Sequence, residues 1–208
     1  MPAIYVASPH PATWPLERLE AACQKRTQTR GGPGGQHRNR TASGVFATLE
    51  LAAAPGSRAI SPGEVVALTG EATEQRSQHR NREVAFRRLR FVLAWSVRTG
   101  SPLDRGDPND TPHPSAVEPH DVPDDEEERI RRAYEGTALK LADSNPDKPA
   151  VLALLLNDWL AAGGQPSLVG AFWKVSTSRV VAAVRSVPTA WTWANRVRAH
   201  HDRPPLHR

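Results

Sequence analysis

In the first hundred residues the spacing of apolar positions changes several times, and each change marks an element. Trp14-Pro15 leads into a short helical stretch, Leu16 to Ala22. Cys23 to Thr29 then alternates in a strand-like way. Val45 to Leu51 reads as a second strand, Pro55-Gly56-Ser57 as a turn and Val65 to Thr73 as a third strand, weakened by Gly70. Ser61-Pro62 offers a helix start over 61–69 as the alternative. The firmest helix runs from Arg76 to Arg98. There Ala85, Phe86, Leu89, Val92 and Leu93 recur at helical spacing, while Arg80, Arg87 and Arg90 point elsewhere. This pattern predicts an α+β unit over residues 1–99, a small mixed sheet with one long packing helix.

Six prolines fall between Gly100 and Pro123, mixed with Gly, Asp and Ser, and predict a linker over 100–123. Beyond it the chain reads as all-helical over 124–208. Carboxylates at Asp124 to Glu128 favour the positive end of a first helix. Pro149 to Ala162 makes a second, closed by Gly163-Gly164, and Leu168 to Trp173 a short third. Ser176 caps a fourth through Arg185, and Pro188-Thr189 opens a fifth to about His200.

The net charge of +5 over 208 residues conceals an alternation. Residues 1–98 hold 14 Lys or Arg against 7 Asp or Glu, residues 99–150 hold 6 against 13, and residues 151–208 hold 7 against 2. Two basic regions joined by an acidic one suit a polyanionic partner. Cys23 is the single cysteine, which excludes an intrachain disulfide and a cysteine zinc site and fits a reducing, cytoplasmic compartment. No apolar run approaches the roughly 20 residues that span a bilayer, and the first residues lack the basic-then-apolar pattern of a signal peptide. No metal or other cofactor is expected.

The most informative string is Gly31-Gly32-Pro33-Gly34-Gly35-Gln36-His37-Arg38-Asn39-Arg40. Four glycines around a proline give backbone without β-carbons that can enter a crowded site. It is not followed by Lys-Ser/Thr, so it is not a P-loop, and it lacks the GxGxxG register of a dinucleotide site. A second string, Arg76-Ser77-Gln78-His79-Arg80-Asn81-Arg82, opens the long helix. In this order and one small domain apart, the two strings resemble the catalytic domain of bacterial class I peptide chain release factors. They are closest in type to the relatives that rescue stalled ribosomes without reading a stop codon. The pattern SGxGGQxxNKxxS is matched with Gly31 for the usual Ser, Arg38 for a usual Val and Arg40 for the usual Lys. The likeness covers roughly residues 20–98.

This resemblance implies a ribosome-dependent hydrolysis of the ester that joins a nascent peptide to tRNA, by a monomer needing no cofactor. Gly34, Gly35 and Gln36 would be catalytic. The Gln36 N–H would stabilise charge developing in the transition state, and the glycines would let it approach. The neutral Gln36 amide would shape the pocket for water against bulkier nucleophiles. His37, Arg38, Asn39, Arg40, Arg76, Ser77, Gln78, His79, Arg80, Asn81 and Arg82 would contact the large-subunit ribosomal RNA, with Ser77 or Gln78 also capping the helix. Partners would be the ribosome and peptidyl-tRNA, with no membrane. No separate codon-reading domain is evident.

A second Gly-Gly-Gln, at Gly163-Gly164-Gln165, follows a helix where Gly serves as a cap and has no Asn-Arg tract after it, so it reads as coincidence. Val175 to Val180 resembles the turn and recognition-helix start of a helix-turn-helix, with Ser176 capping and Val180, Val181 and Val184 inward. Lys174 stands where Gly is usual. Trp159, Trp173, Trp191 and Trp193 read as core. The alternative function is a non-catalytic RNA- or DNA-binding protein that uses this helical region.

Overall fold

A computed structural model of the chain describes residues 4–29, 43–54, 63–106 and 126–207. In order, the elements are β1 (Ile4–Tyr5), α1 (Leu16–Ala22), β2 (Gln24–Gln28), β3 (Gly44–Ala52), β4 (Val65–Ala72), α2 (Gln78–Ser96) and β5 (Val97–Arg98). Five helices come next: α3 (Glu126–Tyr134), α4 (Lys148–Ala161), α5 (Pro166–Phe172), α6 (Thr177–Arg185) and α7 (Pro188–His200). The fold is α+β. The sheet, however, is not mixed: β2, β3 and β4 form an antiparallel meander, and the parallel pair β1–β5 stands apart from it. Between the strand and the helix open to residues 65–69, the chain takes the strand.

Alternation explains how the sheet sits. Val45, Ala47, Leu49 and Leu51 of β3 are buried, while Glu50 and Ala52 are exposed, so one face meets α2. On β4 the backbone of α2 comes closest at Gly70. A β-carbon there would lie 2.2 Å from the Ala85 carbonyl oxygen and 2.4 Å from the Leu89 nitrogen. The glycine that weakens β4 as a strand is therefore what lets the helix lie against the sheet.

The other side of α2 packs on α4, a helix buried from Lys148 to Trp159 almost without interruption. One apolar interior runs from Ile4 and Leu19 through Leu89 and Leu93 to Trp159, Trp173, Trp191 and Trp193. The four tryptophans are core, and the interior is not divided at residues 100–123. The first part of that stretch is not an open linker either. Ser101 Oγ donates to Asp158 Oδ1 at 2.7 Å, Asn157 Nδ2 donates to Thr99 Oγ1 at 2.7 Å, and Pro102–Gly106 forms a 3₁₀ turn. Polar bonds to α4, together with Leu103 against the apolar interior, hold this proline-bearing segment. Residues 107–125, with Asp124 and Asp125, lie outside the described residues.

Asp158 is fully buried and anchors the helical half. It receives Arg131 Nη1 at 2.5 Å and Nη2 at 3.0 Å, Ser101 Oγ at 2.7 Å and Trp173 Nε1 at 2.6 Å. Such a pair is retained only with its remaining lone pairs satisfied, and here they are. The long helix ends at Ser96, two residues before the expected Arg98, because Val97–Arg98 pairs with Ile4–Tyr5. The buried Arg98 guanidinium turns back to the Ala94 and Trp95 carbonyls and lies 3.9 Å over the Trp193 ring. Its charge thus meets the negative end of α2, and burial pushes its pKa down to about 9. Arg90 also turns inward, donating to the Trp14 carbonyl.

Candidate functional site

Strand register fixes the residues on either side of the glycine-rich string. Gln28 pairs with Gly44, so the chain leaves the sheet at Thr29 and re-enters it at Ser43, side by side. The fit is close: a β-carbon on Gly44 would sit 3.1 Å from both the Gln28 carbonyl oxygen and Thr73 Cγ2. Residues 30–42 connect these ends. Gly34, Gly35, Gln36, His37, Arg38, Asn39 and Arg40 lie among them, outside the described residues.

The second string reaches the same point from α2. Ser77 caps the helix, its Oγ accepting from the Arg80 backbone N–H at 3.4 Å. One turn in, Asn81 points into the fold and is fully buried. Its Nδ2 donates to the Ser43 carbonyl at 2.5 Å and to the Gln75 carbonyl at 2.9 Å, and its Oδ1 accepts from the Gln75 N–H at 2.9 Å. Asn81 therefore cannot be one of the RNA-contacting residues. It ties the re-entry point of the glycine-rich segment to the start of α2. Spacing alone signals this, since Asn81 stands four and eight residues before the buried Ala85 and Leu89 and so falls on the apolar stripe.

The rest of the string faces outward. Arg76, Gln78, His79, Arg80 and Arg82 are exposed. His79 Nδ1 lies 3.7 Å from Glu83 Oε1, and Arg82 makes a two-pronged pair with Glu20 of α1, its Nε 2.9 Å from Oε1. Among the described residues neither Arg76 nor Arg80 has an ion-pair partner. Two cations that the motifs do not include lie further back along the same strand pair, opposite Ala47 and Phe46. Lys25 and Arg26 lie on β2, every residue of which is exposed, and the Arg26 guanidinium sits 5.1 Å over the Phe46 ring across the strand pair. Their signal in the sequence is two adjacent bases in an alternating segment that has no apolar face.

Among the described residues the one pairing of a histidine with a carboxylate near the start of α2 is that of His79 with Glu83, and both side chains are exposed. The Cys23 thiol, at the start of β2, is pushed up to about 11 by burial, which keeps it protonated and unreactive near neutral pH. Among the described residues no group of His, Cys, Asp and Glu converges in a metal-binding cluster, and no helix is long and apolar enough to cross a membrane.

The second Gly-Gly-Gln is built differently. Gly163 and Gly164 take φ of 56° and 75°, and the Gly164 N–H closes onto the Trp159 carbonyl at 2.8 Å as α4 ends. Arg198 Nη1 then donates to the Gly164 carbonyl at 2.6 Å and Arg203 Nε to the Gly163 carbonyl at 2.9 Å. This copy is a helix stop clasped by two arginines. Comparison with known proteins finds no matching family model, no matching curated protein and no matching solved structure.

Proposed function

We propose that the chain is a ribosome-dependent peptidyl-tRNA ester hydrolase of the release-factor type that acts without reading a stop codon. The observation that supports it most is the Asn81–Ser43 hydrogen bond, since it ties the chain just after the first string of the resemblance to a residue of the second. The exposed bases of the second string and of β2, Arg76, Arg80, Lys25 and Arg26, offer phosphate contacts that orient the protein while leaving sequence unread.

In this reading water attacks the ester carbonyl carbon, the bond to the tRNA ribose oxygen breaks, and a free peptide carboxylate and a tRNA hydroxyl result. The Gln36 N–H donates to the oxyanion as it develops, and Gly34 and Gly35 leave space for that approach. The Gln36 carboxamide limits the pocket to a nucleophile the size of water. In this reading the remaining groups belong to the ribosome.

Peptide release from stalled ribosomes tests this. Gln36→Pro, which deletes the donor, lowers the rate by about 10²–10³. Gln36→Ala, which keeps the donor, admits hydroxylamine in competition with water. Release by Gln36→Pro at the parent rate refutes the hydrolase and leaves a nucleic-acid-binding protein without catalysis.

A further inference from the structure

The helical half carries its own surface for a polyanion. Residues 159–201 contain no Asp or Glu and five Lys or Arg. Within them α5 and α6 form a tight helical corner around the turn Trp173 to Ser176. Gly170 of α5 meets that turn directly. A β-carbon there would lie 2.9 Å from the Val175 carbonyl oxygen and 3.3 Å from the Thr177 nitrogen. Four residues on, Lys174 takes φ of 52°, the left-handed conformation that a glycine usually supplies at such a corner, and its ammonium is 2.9 Å from Glu135. Trp173, Val180 and Val184 are buried beneath the turn. The small residue and the left-handed residue of a helix-turn-helix are thus both present, the latter as a lysine.

What α6 leaves outside is specific. Thr177, Ser178, Arg179, Ala182, Arg185 and Ser186 are exposed, and among the described residues neither Arg179 nor Arg185 is ion-paired. The face consists of short hydroxyls and one methyl between two guanidinium groups. Guanidinium, hydroxyl and methyl groups also meet base edges in a DNA major groove, so the choice of RNA follows from the proposed function. Short hydroxyls suit the wide, shallow minor groove of A-form RNA, which displays 2′-hydroxyls between its phosphates. We infer that the exposed face of α6 docks on an RNA duplex through its minor groove, Ser178 meeting ribose hydroxyls and Arg179 and Arg185 the flanking phosphates. This inference draws on the proposed hydrolase only for the choice of RNA as partner.

The test is fluorescence anisotropy of the full chain with a labelled RNA duplex of about 20 base pairs and a DNA duplex of the same sequence, from about 50 to 200 mM salt. Reversing both charges (Arg179→Glu with Arg185→Glu) is expected to raise the RNA Kd at least about tenfold and to reduce the salt slope by about two. Ala182→Tyr, which blocks close approach without changing charge, is expected to weaken RNA binding as well, and Gln36→Pro to leave it unchanged. Binding unaffected by the charge reversal overturns the proposal. So does loss confined to the charge reversal, or a DNA duplex held as tightly as RNA. Because Gln36→Pro is expected to lower release without changing α6, failure here and failure of the hydrolase are told apart.

Discussion

Replacing Asn81 by Ala removes three hydrogen bonds from the point where the glycine-rich segment rejoins the sheet. The Ser43 carbonyl is left facing a void, and burial of an acceptor without a donor costs about 2 kcal/mol. The two bonds to Gln75 lie nearer the surface, where water replaces part of each, and contribute about 1 kcal/mol apiece. The expected loss is about 4 kcal/mol, a large share of the about 5–15 kcal/mol that holds an ordinary domain together. Urea unfolding followed by circular dichroism reads it as a lower midpoint with an unchanged slope. Asn81→Asp separates packing from bonding. It keeps the volume and the acceptor for the Gln75 N–H, but turns a carboxylate oxygen toward two carbonyls. Its loss is expected to match that of the alanine variant near pH 7 and to shrink as the carboxyl protonates toward about pH 4. Peptide release by the folded fraction of either variant falls too, because the segment bearing Gln36 no longer starts from a fixed base. A destabilisation of Asn81→Ala below about 1 kcal/mol refutes the lock.

Two further perturbations probe the interior. His10 is fully buried; its Nε2 faces the Val97 carbonyl at 3.2 Å and its Nδ1 accepts from the Ala12 N–H at 3.0 Å. Burial, reinforced by Arg98, lowers its pKa to about 3. The unfolded chain therefore takes up a proton that the folded chain refuses. Stability falls as the pH drops below about 6.5, by up to about 1.4 kcal/mol per unit, and levels off near pH 3. The unfolding free energy of His10→Asn, measured over the same range, is expected to depend on pH less steeply by about one proton, and parallel curves contradict the reasoning. Asp158→Ala strands the buried Arg131 guanidinium and the Trp173 N–H, and a loss of about 3–5 kcal/mol is expected in urea unfolding. A change under about 1 kcal/mol shows that Arg131 finds water instead.

Local signals in the sequence are strong where one residue type suffices. Leu16–Ala22 and the helix after Ser176, Thr177–Arg185, stand in the structure at the expected bounds, although Ser176 turns its hydroxyl to Ser178 rather than capping the helix N–H groups. The sheet is legible in its three strands but not in its pairing, since strand direction depends on residues far apart. The continuity of the interior is hidden because α2 carries one evident apolar stripe, while Phe91 and Trp95 widen the surface it offers to neighbouring elements. The proline-rich stretch hides its first residues for a related reason. Thr99 and Ser101 are buried through partners on α4, and hydrogen bonds across 57 residues leave no periodicity to read. Asn81 is obscured by the arginines around it, which suggest a solvent-facing string, although its helical spacing places it inward.

Along its outer side strand β2 has no pairing partner among the described residues, so a row of peptide groups stands open to any other extended chain. Two copies approaching edge to edge would crowd Lys25 and Arg26 of one against the same cations of the other, and this repulsion discourages stacking into fibrils. Where phosphates line the approach, the same two residues turn from a barrier into a guide rail. If the proposed partner is met, the margin that refuses its own kind is thereby the one that a polyanion would find open.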